Sequence, residues 1–119
     1  MTTSSGAVLV TGASSGMGKA CALRLSKAGY TVFAGVRKEG DASMLKQAAS
    51  SRLIPVILDV TDERSIAEAF QRIRETVGAA GLVGLVNNAG VGVTAPIELV
   101  PLEELRRQFG RSQTCYVLW

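Results

Sequence analysis

A glycine-rich stretch near the N-terminus has the residue types and spacing that could hold a phosphate. Thr11 is followed by glycines at positions 12, 16 and 18, with Ser14 and Ser15 between them. A β-prone run precedes the stretch and a helical pattern follows it. Backbone N–H groups and the positive end of the helix dipole would therefore meet an anion at this turn. The two serine hydroxyls would add hydrogen-bond donors.

The three glycines have separate predicted roles. Gly12 would make the tight turn, Gly16 would let a dinucleotide approach, and Gly18 would allow the helix to pack closely on the strand. Met17 belongs to the same turn. The spacing Gly-x-x-x-Gly-x-Gly differs from the common Gly-x-Gly-x-x-Gly, and a P-loop is disfavoured because no Gly-Lys-Ser/Thr follows. A glycine-rich turn without any ligand is the alternative.

Polar residues also follow two later β-prone runs. Asp59 and Val60 come after the third run, and Asn87-Asn88-Ala89-Gly90 comes after the fourth. Either group could be an ordinary turn. Their positions just past a strand, in the same chain order as the glycine turn, favour one shared site at one edge of a sheet.

The elements that must position these residues alternate between strand and helix. Strand patterns cover residues 7–11, 30–34, 54–58 and 82–86, and helical patterns cover residues 16–28, 41–49, 61–77 and 101–109. The alternation predicts an α/β fold: a partial, Rossmann-like, doubly wound parallel sheet in three α/β/α layers, with strand order 3-2-1-4. Pro55 suits an edge strand. In the first helix we expect Met17, Cys21, Leu25 and Ala28 to face the core.

Composition limits the function classes. The 119 residues predict one domain, and the net charge of +3 comes from scattered basic residues that form no nucleic-acid-binding face. The chain has no histidine, which excludes His-dependent triads and most zinc sites, so no metal site is predicted. No signal peptide and no membrane-spanning run are visible, and a cytoplasmic location is expected.

The chain resembles the short-chain dehydrogenases/reductases, whose cofactor motif is Thr-Gly-x-x-x-Gly-x-Gly. The resemblance covers residues 7 to about 109 and looks most like the branch acting on steroid or retinoid alcohols and its bacterial relatives. It implies an NAD(P)-dependent oxidoreductase that transfers hydride between a small alcohol or ketone and the cofactor. It further implies that Asp59 with Val60 meets the adenine ring. Asn88, Ala89 and Gly90 would line the ribose side, with Thr11 bracing them.

The residues after the second strand bear on the choice of cofactor. Arg37 stands there, and the acid that would bind the ribose hydroxyl of NAD is absent. An arginine suits the 2′-phosphate, so NADP is favoured over NAD. The alternative is that Arg37 and Lys38 are solvated charges, and Glu39 nearby weakens the NADP interpretation.

The family's catalytic serine and Tyr-x-x-x-Lys pair have no match in these residues, so no catalytic residue is assigned. Residues 1–109 are predicted to form the N-terminal part of an NAD(P)-binding domain, and residues 110–119 a divergent tail that a frameshift, an early stop or a misassembled gene would explain. We expect a truncated, inactive chain from a homo-oligomeric enzyme. The alternatives are a non-catalytic dinucleotide-binding module and a non-functional product.

Overall fold

The computed structural model describes residues 6–48, 51–90 and 95–117. In chain order the elements are β1 (Ala7–Val10), α1 (Gly16–Lys27), β2 (Thr31–Val36), α2 (Glu39–Ala48), β3 (Leu53–Ile57), α3 (Glu63–Val77), β4 (Leu82–Val86) and α4 (Leu102–Val117). Single 3₁₀ turns follow α3 at Gly78–Ala80 and precede α4 at Ile97–Leu99. Each predicted strand and helix is present, with ends that differ by a few residues. Ala49, the predicted end of α2, lies outside the described residues.

The four strands form one parallel sheet in the order β3-β2-β1-β4, as predicted. Strand β1 is central, and its Val10 pairs with Ala34 of β2 on one side and Val86 of β4 on the other. Strand β3 lies at one edge of this sheet, where Pro55 is tolerated because a missing N–H costs least there. The carboxyl ends of all four strands therefore meet along one edge of the sheet.

Apolar residues fill both faces of the sheet, which is why the strands are nearly continuous apolar runs. On one face Leu9, Phe33 and Val56 pack against Ile66 and Ile73 of α3. On the other face the fully buried members belong to β1, β2, the glycine turn and the two helices α1 and α2: Val10, Ala13, Ala22, Val32, Ala34, Val36 and Leu45. Successive side chains of a strand point to opposite faces, so β1 contributes to both clusters.

Helix α1 is rotated relative to the predicted orientation. Its buried residues are Gly18, Ala22 and Ser26, whereas Met17 and Cys21 are exposed. The prediction that this stripe faces the core was therefore wrong for Met17, Cys21 and Ala28, which are exposed, whereas Leu25 is half-buried and packs against the core. Small side chains let the helix lie close to the sheet, and this close approach outweighs the larger apolar area of the other stripe.

Helix α4 extends further than the sequence pattern predicts. It continues through Gly110 to Val117, beyond the predicted end at residue 109 and into the predicted tail; Leu118 and Trp119 lie outside the described residues. Two large apolar side chains in the first part of α4, Leu102 and Phe109, are exposed. Within the described parts of the chain, no helix is long and apolar enough to cross a membrane.

Candidate nucleotide-binding site

A cleft opens at the carboxyl ends of β1, β2, β3 and β4, where the three polar motifs meet. Its volume is about 340 Å³. The lining residues come from the glycine turn, the end of β2, the residues after β3 and the segment after β4: Gly12, Ser14, Ser15, Met17, Gly35, Val36, Arg37, Leu58, Val60, Asn88, Ala89 and Gly90. In open parallel sheets this edge is where ligands bind.

Thr11 lies at the base of the cleft and links the end of β1 to the end of the adjacent strand β4. The N–H groups of Asn88 and Ala89 donate to its hydroxyl oxygen at 3.0 and 2.9 Å. The Thr11 N–H donates to the carbonyl of Val86 at 3.0 Å. The side chain of Thr11 is fully buried, and its hydrogen bonds to the half-buried Asn88 and Ala89 hold the two segments together. The predicted bracing role of Thr11 is confirmed.

The Asn88 side chain holds the glycine turn through two hydrogen bonds. Its amide nitrogen donates to the carbonyls of Thr11 and Gly12 at 3.2 and 3.1 Å. Buried backbone carbonyls need hydrogen-bond donors, and past the end of β1 the Asn88 amide supplies one to each of these two. The amide thereby fixes the direction in which the turn leaves the strand.

Two of the glycines are required by close approach inside the protein. A Cβ on Gly12 would lie 2.8 Å from the Cα of Ala89, and Gly12 also has φ +63°. A Cβ on Gly18 would collide with the Gly12 carbonyl and the Asn88 amide. The predicted roles of a tight turn at Gly12 and close helix packing at Gly18 are confirmed.

Gly16 is the first residue of α1 and has a different environment. Its φ is +57°, and apart from its chain neighbours and the backbone of its own helix no atom lies within 4 Å of the position that a Cβ would take. The space in front of the first turn of α1 is therefore open. Ser15, at the N-cap, makes no side-chain capping hydrogen bond, and no acid lies in the first turn. This helix start has the positive dipole end and open approach that an anion requires.

The charge of the cleft wall is positive. Arg37 follows β2 directly, is exposed, and lines the cleft. No aspartate or glutamate belongs to the lining among the residues that the structure describes. Glu39, two residues further along the chain, lines a separate groove with Lys46 and Arg72 and is not among the residues that line the cleft.

Asp59 is held in a turn beside the cleft. Its carboxylate accepts hydrogen bonds from the Thr61 N–H at 3.0 Å and the Thr61 hydroxyl at 2.7 Å, and its own N–H donates to the Ser65 hydroxyl at 2.9 Å. The neighbours Leu58 and Val60 line the cleft, and Asp59 does not. The contact of Asp59 with an adenine ring stays a prediction.

The structure thus brings most of the predicted site residues to one cleft. Gly16, Gly18 and Asp59 lie outside the lining set, although Gly16 and Gly18 shape the turn. Sequence reasoning missed Gly35, Val36 and Leu58. Gly35 had a usable signal, because a glycine at the end of an apolar strand often marks a close approach of backbone. Here the Ala13 N–H donates to the Gly35 carbonyl at 2.9 Å.

Comparison with known proteins identifies the family. The model of the short chain dehydrogenase family matches residues 6–119. The chain therefore belongs to the short-chain dehydrogenases/reductases, a family of oxidoreductases. The match continues past residue 109, where the sequence pattern had placed the end of the resemblance.

Curated relatives agree with this assignment. The chain is 42% identical over 101 residues to an NADPH-dependent 3-dehydrocapnine reductase of Ornithobacterium rhinotracheale, covering 85% of this chain and 36% of the relative. It is 39% identical over 101 residues to retinol dehydrogenase 5 of Mus musculus, covering 84% of this chain and 32% of the relative. The chain thus spans about a third of the length of these relatives.

Solved structures share the fold. A 3-ketoacyl-(acyl-carrier-protein) reductase from Brucella melitensis, complexed with NADH, aligns with a TM-score of 0.87 at 30% identity, over 96% of this chain and 47% of that one. A putative carbonyl reductase, Sniffer, of Caenorhabditis elegans aligns with a TM-score of 0.86 at 32% identity, over 98% of this chain and 51% of that one.

Proposed function

We propose that this chain binds a nicotinamide dinucleotide in the cleft at the ends of β1 to β4, as the cofactor-binding part of an enzyme that transfers hydride between an alcohol and a ketone. The observation that carries the proposal is the braced glycine turn. Thr11 and Asn88 fix its shape, and the uncapped start of α1 faces open space at Gly16. A pyrophosphate placed there would accept hydrogen bonds from the first N–H groups of the helix.

We further propose NADP as the preferred cofactor. Arg37 is the cation in the lining of the cleft, and no acid offsets it among the described lining residues. A guanidinium can form two parallel hydrogen bonds to a phosphate, which the 2′-hydroxyl of NAD does not offer. Both cofactors occur among similar proteins: one relative is NADPH-dependent, and one solved structure is a complex with NADH.

The 119 residues by themselves are proposed to bind without catalysis. They contain no Tyr-x-x-x-Lys and no histidine. Hydride transfer at a carbonyl needs a group that gives or takes the proton on oxygen. A cytoplasmic location, an alcohol or ketone substrate and a homo-oligomeric full-length enzyme stay predictions from the sequence. The alternatives to this proposal are a non-catalytic dinucleotide-binding module and a non-functional product.

Two glycines with nearly equal φ offer a comparison that tests the site. Gly16 at the cleft and Gly78 at the end of α3 have φ of +57° and +58°, and a Cβ on either meets no atom within 4 Å. Valine at either position is strained because φ is positive, at a cost of order 1–3 kcal/mol. In Gly16→Val, however, the side chain would occupy the space proposed for the pyrophosphate.

The measurement is titration calorimetry with NADP on the chain of residues 1–119, after thermal unfolding has confirmed that each variant folds. We expect the parent chain and Gly78→Val to bind, and Gly16→Val to lose detectable binding. Equal affinity in Gly16→Val and Gly78→Val would show that the phosphates lie elsewhere. No binding by the parent chain would overturn the proposed function.

A further inference from the structure

Met17 is a large apolar side chain in an unusual place. It is 80% exposed although it is the second residue of a helix whose other face is buried. The rotation of α1 that buries Gly18 turns Met17 outward, and Met17 then lines the cleft beside Ser14 and Ser15. Its flexible thioether therefore lies at the entrance to the proposed pyrophosphate site, in contact with solvent.

A second methionine provides the internal comparison. Met44 of α2 is also largely exposed, at 67%, and it does not line the cleft. The two thioethers are thus similarly accessible to small solutes, and they differ in whether a ligand in the cleft would cover them. Exposure is a main determinant of how readily a methionine is oxidised.

We propose that Met17 is a reversible oxidation site that couples peroxide to dinucleotide binding, an inference that rests on the proposed function. The sulfur lone pair of Met17 attacks one oxygen of a hydroperoxide and the O–O bond breaks. An S–O bond forms, the proton of the transferred hydroxyl moves to the leaving oxygen, the thioether loses two electrons, and the peroxide is reduced to water or the corresponding alcohol. Methionine sulfoxide reductases return the sulfoxide to the thioether.

The modification changes both the polarity and the charge distribution at the cleft entrance. The thioether is apolar and polarizable, whereas the sulfoxide oxygen carries a partial negative charge. That oxygen would lie next to the helix start that is proposed to receive a dianionic pyrophosphate. Oxidation therefore weakens dinucleotide binding, and a bound dinucleotide shields Met17 from the oxidant.

The experiment uses residues 1–119, hydrogen peroxide and NADP. The chain is oxidised with and without saturating NADP, then treated with dithiothreitol to reverse thiol oxidation at the exposed Cys21. Peptide mass mapping gives the oxidised fraction of Met17 and of Met44. Calorimetry gives the NADP affinity before oxidation, after oxidation, and after treatment with methionine sulfoxide reductase. The same series is run on Met17→Leu and Met44→Leu.

We expect NADP to slow oxidation of Met17 and to leave Met44 unchanged. We also expect peroxide to weaken NADP binding by about threefold or more, equivalent to the loss of one hydrogen bond at the helix start, with recovery after the reductase. Met44→Leu should keep this peroxide effect, and Met17→Leu should lose it whatever its starting affinity. If the untreated chain binds NADP but Met17 is not protected, or the peroxide effect survives in Met17→Leu, the inference is wrong while the proposed function stands. If the untreated chain does not bind NADP, both fail.

Discussion

Helices α1 and α3 begin on the same edge of the sheet, yet their first turns are organised in opposite ways. The start of α3 is satisfied by its own residues. The Asp62 carboxylate accepts from the N–H groups of Arg64 and Ser65 at 3.0 and 3.4 Å, and Glu63 places a second acid in the first turn. The start of α1 has no side-chain cap and no acid. One helix supplies its own anion, and the other leaves that position open.

The difference shows how the same helix dipole can serve stability or binding. A capping carboxylate removes the donors that a ligand would need and contributes to folding. At α1 the donors are kept accessible, and rigidity comes instead from Thr11 and Asn88, which lie outside the helix. Substitutions at the two helix starts should therefore affect different properties of the protein.

The largest effect is expected for Gly18→Ala. The new Cβ would collide with the backbone carbonyl of Gly12, and forcing extra volume into such a contact costs about 3 kcal/mol. Because α1 would have to move from the turn, NADP binding should fall with stability. Denaturant unfolding and calorimetry measure the two quantities.

The matched control is Gly40→Ala in α2, where a Cβ meets no atom within 4 Å. This change should stabilise the chain by about 0.5–1 kcal/mol through helix propensity. Gly18→Ala that is as stable as Gly40→Ala would show that the close approach of α1 to the turn is not required.

Thr11→Val should produce the next largest loss. Valine has the same shape but removes the hydroxyl oxygen to which the N–H groups of Asn88 and Ala89 donate, and each lost hydrogen bond costs about 0.5–1.5 kcal/mol. Both the free energy of unfolding and the NADP affinity should decrease. Thr61→Val near the start of α3 is the control, since its hydroxyl bond to Asp59 is exposed and the change should stay within about 0.5 kcal/mol. Similar losses of stability and NADP affinity in both variants would show that the Thr11 hydroxyl does not hold the glycine turn.

Arg37→Ala is expected to alter cofactor selectivity alone. Loss of a charge-assisted contact with the 2′-phosphate should cost about 1.5–3 kcal/mol of NADP binding, which is about tenfold or more in affinity. NAD binding should change little. Arg64→Ala serves as control, because Arg64 at the start of α3 pairs with exposed Glu68 at 3.2 Å. An unchanged NADP-to-NAD affinity ratio in Arg37→Ala would refute the proposed preference.

The smallest effects are expected at the N-cap positions of the two helices, Asp62 of α3 and Ser15 of α1. Asp62→Ala should destabilise the chain by about 1 kcal/mol by removing a helix cap, without changing NADP affinity. Ser15→Ala should leave stability unchanged, because this side chain makes no capping hydrogen bond, and should weaken NADP binding. Thermal unfolding and calorimetry on both variants are sufficient. The comparison fails if Ser15→Ala destabilises as much as Asp62→Ala.

The sequence predicted the sheet order and most of the cleft because these depend on signals that are local in the chain. Apolar runs mark the strands, and motifs that come directly past parallel strands must share an edge. The orientation of α1 could not be predicted in the same way. Apolar periodicity favoured Met17 and Cys21 as buried residues, whereas the clearance between Gly18 and the Gly12 carbonyl decided the rotation. Clearance of this kind depends on three-dimensional contact, which hydrophobic periodicity does not encode.

Asp59 illustrates a second limit. Its position after β3 is visible in the sequence, but the direction of its carboxylate is set by local donors at Thr61. Aspartate commonly binds backbone two residues on. Such a local bond competes with any longer contact across the cleft, and residue spacing gives no measure of that competition.

The brace at Thr11 also bears on how the protein is made. Thr11 and Asn88 are separated by 77 positions in the sequence, and β1 completes its pairing only when β4 arrives. During synthesis the glycine turn would leave the ribosome well before the residues that fix its shape. The binding site is therefore a late product of folding: a nascent chain could hold β1, α1 and β2 together and still have no rigid turn to offer a cofactor.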